Sequence, residues 1–312
     1  MKVLITGAAG FLGRWFVRHH IEAGDRVCAI DDLSAAHATP PPYRHGFIQG
    51  DAGFFFKDNQ LDFDLAYHFA APVGGRIKIE SDPMFNADSL RLDAAFFRWA
   101  KDHAKVAVYP SSSAVYGIDY QRAEDGRPLA ESLFEPHALY WAQPDELYGF
   151  TKMAGEVLAV KAAQYGLATL CIRPFSGYGP GQPDDYPVTA ILQRAMNRED
   201  PLVVWGDGSQ KRDFVYVEDI VRATIARLGA GIDGYQVMNI GSGQGHSFPR
   251  LAKNAAKIVG YEPDVVRDRT KPMGVAVRVA DIDRMSRFID PASMTPFKEG
   301  LEKTIKWLAK EA

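Results

Sequence analysis

Lys2-Val3-Leu4-Ile5-Thr6-Gly7-Ala8-Ala9-Gly10-Phe11-Leu12-Gly13 decides how this chain begins to fold. A short apolar run reads as a strand, and it leads directly into three glycines and a helix over 11–23. Gly7 permits the tight turn, and Gly10 lets the backbone, with Phe11 and Leu12, approach a pyrophosphate. Gly13 lets the helix pack close to the strand while its N-terminal amides face the phosphates. The spacing is G-x-x-G-x-x-G, which an ordinary strand–helix turn can also carry, so its weight depends on the rest of the chain.

Strands are expected over 26–30, 47–49, 65–69, 105–109 and 168–172, with helices over 84–103 and 147–165. Apolar strands separated by helices predict an α/β fold, a doubly wound parallel (Rossmann) sheet covered on both faces, with ligands at the carboxyl ends of the strands. After Arg173 the pattern changes to loops rich in glycine and proline, 176–187 and 206–212. Segments 215–228 and 237–240 read as a return to the sheet, and a helix over 298–310 closes the chain. The expected organisation is a dinucleotide-binding domain over 1–175, joined by 214–240, and a smaller discontinuous substrate-binding lobe over 176–213 and 241–312.

With 312 residues, 46% of them hydrophobic, the chain can bury a large core. A formal charge of −3 gives no global attraction to nucleic acid or anionic membrane. Cys28 and Cys171 lie in apolar strand-like runs without metal-ligand spacing, so both read as buried thiols and no metal site is expected. No signal-peptide core or long apolar run is visible, and a cytoplasmic location is expected.

Asp31, at the end of the second strand, can accept hydrogen bonds from both hydroxyls of an adenosine ribose and repels a 2′-phosphate, which favours NAD over NADP. Arg14 dissents, because a guanidinium on the first helical turn can bind that phosphate. In Gly50-Asp51-Ala52, Asp51 stands either beside the adenine amino group or as the cap of a turn. The small residues Ala70 and Ala71 in His68-Phe69-Ala70-Ala71 suit a backbone passing against a cofactor, with His68 read as a core histidine.

Tyr148-Gly149-Phe150-Thr151-Lys152 places a phenol and an ammonium on one helical face. Making a phenol available as a base at neutral pH costs roughly 4 kcal/mol, which a neighbouring ammonium and an oxidised nicotinamide ring both reduce. Ser111-Ser112-Ser113-Ala114-Val115-Tyr116-Gly117 follows the strand beside the expected nucleotide crevice, where hydroxyls can hold a substrate oxygen. Gly-x-Ser-x-Gly is absent, which argues against a hydrolase.

At these motifs the sequence resembles the NAD-dependent epimerase/dehydratase family, the extended short-chain dehydrogenases that include UDP-galactose 4-epimerase. The likeness runs nearly end to end, through Gly7–Gly13, Asp31-Asp32-Leu33-Ser34, His68–Ala71, Ser111–Gly117, Tyr148–Lys152, Arg173–Gly181, Trp205–Asp219 and Asn239-Ile240-Gly241. It implies Tyr148 as the base, Lys152 as its electrostatic partner, and Ser112, with Ser113, on the substrate oxygen. It further implies Arg212 and Arg278 on the diphosphate of a nucleoside-diphosphate sugar, for which guanidinium forks are suited. Ser176, at a substrate-binding position, stands where the family usually has Asn; the loop between Tyr116 and Tyr148, with His137, Tyr140 and Trp141, is longer than in the simplest members and, together with Gly74-Gly75-Arg76, is expected to reshape the sugar pocket, with Arg76 on the substrate. Gln143–Gly149 also resembles, locally, the GDP-mannose 3,5-epimerase branch.

What the resemblance implies is transient oxidation at a sugar carbon, most readily C4, by NAD that stays bound, with return of the hydride to the opposite face. Family dehydratases and decarboxylases commonly place a glutamate where Ala114 stands, so Ser112-Ser113-Ala114 leaves hydride return as the local chemistry, with Glu131 and His137 as bases able to defeat that reading. A dehydratase, a decarboxylase, a net dehydrogenase and a catalytically silent NAD-binding regulator are the competing expectations. The helices over 84–103 and 147–165 correspond to those that pair across the family's homodimer.

Overall fold

The computed structural model describes residues 1–312 except 35–45, 73, 75–81, 125, 139–141, 272 and 312. The seven strands β1 (Lys2–Thr6), β2 (Arg26–Asp31), β3 (Phe47–Gln49), β4 (Phe63–His68), β5 (Ala104–Pro110), β6 (Ala168–Pro174) and β11 (Tyr235–Ile240) form one parallel sheet. Its order is β11-β6-β5-β4-β1-β2-β3. The chain runs outward from β1 to β3, then crosses back beside β1 to add β4. The reversal opens a crevice above Gly7, between the carboxyl ends of β1 and β4, as the doubly wound arrangement requires.

Alternation along β1 supplies both faces of the core. Val3 and Ile5 pack with Phe16 of helix α1 (Phe11–Glu22), while Leu4 packs on the other face with Phe56 of α2 (Ala52–Asp58) and Phe96 of α3 (Asp88–His103). All three β1 side chains are fully buried, each worth about 1.5–3 kcal/mol in transfer from water. Helix α4 (Glu146–Gln164) lies beside α3, and Ala159 and Ala162 join that second core. A single turn of 3-10 helix, Pro83–Ala87, precedes α3, so the expected helix over 84–103 is two elements.

The later chain builds smaller sheets. β7 (Gly177–Tyr178) pairs with β10 (Val215–Tyr216), and β8 (Leu202–Trp205) with β13 (Val265–Asp268). β9 (Lys211–Asp213) lies between β12 (Gly245–Ser247) and β14 (Val277–Arg278). Helices α5 (Pro187–Met196), α7 (Phe248–Val259) and α8 (Phe297–Glu311) enclose a third core containing Leu192, Val204, Phe214, Leu251 and Leu301. Segment 215–228 does not return to the main sheet as a strand. Val215–Tyr216 pairs with β7, and the rest is helix α6 (Val217–Gly229), which packs against α1; only β11 rejoins the sheet. Cys171 is buried, but Cys28 is only half-buried, and burial raises both thiols above their ordinary pKa.

Candidate functional site

A cavity of about 910 Å³ runs across the carboxyl edge of the sheet and out under the lobe. One end is floored by Gly7, Gly10, Phe11, Leu12 and Gly13. Gly7 has φ +65°, and a methyl group there would sit 2.4 Å from the Phe69 carbonyl carbon; one at Gly13 would sit 2.0 Å from the Gly7 oxygen. These glycines are therefore required by close approach of β1, α1 and the end of β4, which leaves a backbone cradle of the kind a pyrophosphate occupies.

Asp31 and Asp32 line the same end with Asp51, Ala52, Ala70 and Ala71. The Asp31 carboxylate accepts from Ala9 N at 2.9 Å and from Leu33 N at 2.8 Å. It thus anchors the glycine turn while each oxygen keeps a lone pair for a ribose hydroxyl. Asp51 caps α2, one carboxylate oxygen accepting from Gly53 N at 2.5 Å and Phe54 N at 3.4 Å, and it also lines the cavity. Arg14 is not among the lining residues; its guanidinium donates to the Ala9 carbonyl at 2.8 Å. His68 is a buried core residue, with Nδ1 2.9 Å from the Thr6 hydroxyl, while Nε2 lies 3.3 Å from Asp93 without making a hydrogen bond.

Tyr148, Lys152, Ser112 and Ser113 line the middle of the cavity. Two glycines that the sequence reading passed over bring them together. A methyl group at Gly149 would lie 2.4 Å from the Ala114 oxygen, and one at Gly155 would lie 2.0 Å from the Tyr109 hydroxyl. Helix α4 can therefore press against both β5 and the serine loop. Ser112 Oγ accepts from Ala114 N at 3.1 Å, which points its own O–H toward another acceptor. Lys152 is 4% exposed, and its ammonium stands 5.1 Å from the Tyr109 ring and 5.9 Å from the Tyr148 ring. It has no hydrogen-bond partner among the described residues, and a ribose hydroxyl pair beside it would supply one. The glycine cradle, the Asp31 acceptor and this orphaned ammonium fit a bound NAD.

Behind the serine loop lies a buried polar network. Ser111 donates to Glu156, whose carboxylate is bridged by Arg173 at 2.8 and 2.7 Å and receives Tyr235 Oη at 2.8 Å. Arg173 also reaches the Tyr116 hydroxyl at 3.0 Å, and Tyr116 donates to Asn239 at 2.5 Å. Burial is the main cause that lifts the Tyr116 phenol to about 12, so it remains a neutral donor. Strands β6 and β11 and helix α4 thereby fix the serine loop.

On the lobe side, Ser176, Arg212 and Arg278 line the cavity, and Arg76 lies outside the described residues, as do Tyr140 and Trp141. Arg212 donates to the carbonyls of Lys211 at 2.9 Å and Met273 at 3.4 Å. Arg278 crosses the gap, its Nε donating to Gln121 at 2.6 Å and its Nη2 to Asp145 at 2.7 Å. Neither Gln121 nor Asp145 stands out in the sequence. Asp145 is three residues before Tyr148, a helical spacing that could have flagged it. Ser112-Ser113-Ala114 itself carries no carboxylate, but Asp145 stands near it from outside that stretch, its backbone N donating to the Ala114 oxygen at 3.1 Å and the residue lining the cavity. Glu131 and His137 do not line the cavity. Glu131 is buried, accepting from Asn239 N at 2.8 Å, and His137 is exposed beside Glu135.

A doubly wound sheet with a glycine cradle at β1 and a tyrosine–lysine helix facing a serine loop defines an extended short-chain dehydrogenase. Residues 3–241 match the NAD dependent epimerase/dehydratase family, and the chain belongs to that family. It is 28% identical to a dTDP-4-dehydro-6-deoxy-D-allose reductase of Streptomyces sp, over 98% of this chain and 95% of the relative. Its fold is similar to that of the UDP-glucuronic acid 4-epimerase from Bacillus cereus in complex with UDP-glucuronic acid and NAD, with a TM-score of 0.85, 25% identity and full coverage of both chains. An NAD-dependent NDP-hexosamine 5,6-dehydratase of tunicamycin biosynthesis is also similar, with a TM-score of 0.81, 25% identity, and 99% and 98% coverage. This chain is thus an enzyme of an NAD-dependent family whose similar members are nucleotide-sugar epimerases, dehydratases and reductases. Among the described residues no helix is long and apolar enough to cross a membrane, and no cluster of His, Cys, Asp and Glu could hold a metal ion.

Proposed function

We propose that this protein is an NAD-dependent nucleotide-sugar epimerase that inverts one ring carbon, C4, through transient oxidation. The observation that carries this reading is the convergence of Ser112, Tyr148 and Lys152 on one cavity, beside a serine loop that offers no carboxylate or thiol. NAD, when bound in the glycine cradle, supplies reversible hydride exchange with the sugar carbon. Tyr148 Oη accepts the proton of the ring hydroxyl and later returns it, and the Lys152 ammonium favours the phenolate that makes this possible. Ser112 donates its O–H to the same sugar oxygen and holds it in reach. Arg212 and Arg278 grip the two phosphates, a handle remote from the reacting carbon that allows the sugar ring to turn between the two steps.

Elimination or decarboxylation asks for more than this set. Glu131 is turned into the buried network and His137 lies away from the cavity, while Asp145 is held by Arg278 and the exposed Asp185 lies on the lobe wall. Hydride return is the chemistry this arrangement favours. The active species is proposed to be a homodimer formed through α3 and α4. A panel of UDP-, GDP-, dTDP- and CDP-sugars identifies the substrate, and the reaction is then run in D2O. The expected product has unchanged mass and one inverted centre; solvent deuterium on carbon, or loss of water or CO2, overturns the reading.

A further inference from the structure

Lys152 and Gly155 stand three residues apart on one face of α4, and both meet Tyr109 of β5. With a methyl group at Gly155 lying 2.0 Å from the Tyr109 hydroxyl, only a glycine lets the helix come this close. The Lys152 ammonium then crosses the face of the same ring at 5.1 Å from its centroid, without a hydrogen bond among the described residues. Through its hydroxyl, Tyr109 donates to Asp93 of α3 at 2.7 Å. Both residues are 1% exposed. The other Asp93 oxygen lies 3.3 Å from His68 Nε2 without a hydrogen bond, so Tyr109 is the donor this buried carboxylate has among the described residues. Burial first, and then the Asp93 charge, push the Tyr109 phenol well above its ordinary range, so it stays a neutral donor. One aromatic ring thus joins a buried carboxylate to a buried ammonium. Donation to the carboxylate polarises the phenol and enriches its ring face, which a cation standing over that face feels as attraction.

We propose that Tyr109 is a positioning residue of this enzyme: its ring face, held by Asp93, fixes where the Lys152 ammonium stands relative to Tyr148. The inference rests on the roles given to Tyr148 and Lys152 in the proposed function and adds what keeps the ammonium in place. Neither Tyr109 nor Asp93 is on the cavity wall, so their side chains reach the chemistry through Lys152. A lysine has a flexible four-carbon stem, and a buried ammonium without a hydrogen bond turns to whatever acceptor comes within reach. The ring face removes that freedom. Its loss matters because a displacement of about 1 Å at a catalytic group can cost on the order of a hundredfold in rate.

Two substitutions separate the face from the hydroxyl. Tyr109→Leu removes both, and with the nucleotide sugar found by the panel it should cut kcat by about tenfold to thirtyfold. KM for the sugar should stay within about twofold, because the diphosphate handle is untouched. Tyr109→Phe keeps the face and should restore kcat to within about threefold of the wild type. NAD titration should follow the same order, weaker in Tyr109→Leu and recovered in Tyr109→Phe. Urea unfolding should not. Tyr109→Phe strands the Asp93 carboxylate without its donor, so its midpoint falls although its turnover survives, whereas a merely structural role makes turnover follow stability. If Tyr109→Phe does not fold, combining it with Asp93→Leu removes the stranded carboxylate and is read in its place. Tyr109→Met, a flexible filler of the same space, likewise replaces a Tyr109→Leu that does not fold. Wild-type kcat in Tyr109→Leu, a Tyr109→Phe as slow as Tyr109→Leu, or a loss carried by KM overturns the proposal and leaves the proposed function standing. A wild type that turns over no nucleotide sugar removes that function and this inference with it.

Discussion

The two ends of the cavity are built by different means. At the nucleotide end, groups are held by backbone: Asp31 accepts from Ala9 N and Leu33 N, and Gly7 and Gly13 meet other main-chain atoms. At the reaction end, side chains hold side chains, as Ser111 does with Glu156, Glu156 with Arg173 and Tyr235, and Arg278 with Gln121 and Asp145. The first end has few ways to change without losing the turn itself. The second can be retuned one pair at a time, which suits a family whose similar members include an epimerase, a dehydratase and a reductase on one sheet.

Three substitutions sharpen that contrast. Tyr148→Phe removes a single oxygen at the reaction end and should cut turnover by about 10²–10⁴-fold with NAD affinity nearly unchanged. Retention of more than about a tenth of wild-type turnover, a barrier change under roughly 1.4 kcal/mol, would show that another group takes the proton. Glu156→Gln tests whether the reaction end depends on its remote partners. It leaves the fully buried Arg173 guanidinium without a countercharge, and urea unfolding should report a loss of about 3–5 kcal/mol. A midpoint within error of the wild type would mean that Tyr116, Asn239 and the backbone suffice. The smallest effect is expected at the nucleotide end. Asp31→Ala deletes the carboxylate acceptor, and charge-assisted bonds of this kind are worth about 1.5–3 kcal/mol. NAD affinity should fall about tenfold and discrimination against NADP should relax. Titrations with both cofactors that match the wild type would move the specificity role elsewhere.

The same contrast governs how much is legible in the sequence. Gly7–Gly13, Asp31 and the strand–helix alternation follow from local chemistry, because turn geometry and residue spacing are visible in neighbouring letters. The pairing of Tyr148 with Lys152 is equally local. Helices α2, α5 and α7 escape such a reading because their apolar faces complete cores contributed by distant segments. At Asp51 the sequence holds two readings open, and the structure makes the cap visible through Gly53 N and Phe54 N while leaving the residue on the cavity wall. Gln121 and Asp145 acquire meaning only when β14 brings Arg278 to both, a contact spanning more than a hundred residues. Gly149 and Gly155 look like ordinary weak points in a helix until the Ala114 carbonyl and the Tyr109 phenol are found against them.

The network behind the serine loop also sets an order of assembly on the ribosome. Ser111 emerges early, but Arg173 and Asn239, which complete its surroundings, lie much farther along the chain. Until β11 is available, a nascent chain carries Arg173 and Glu156 without the Tyr235 hydroxyl and the Asn239 amide that close the polar cluster. The nucleotide turn, by contrast, needs only the first few strands. A chain synthesised through β4 already carries the glycine turn and its close contacts, whereas the polar cluster behind the serine loop is complete only once β11 has emerged.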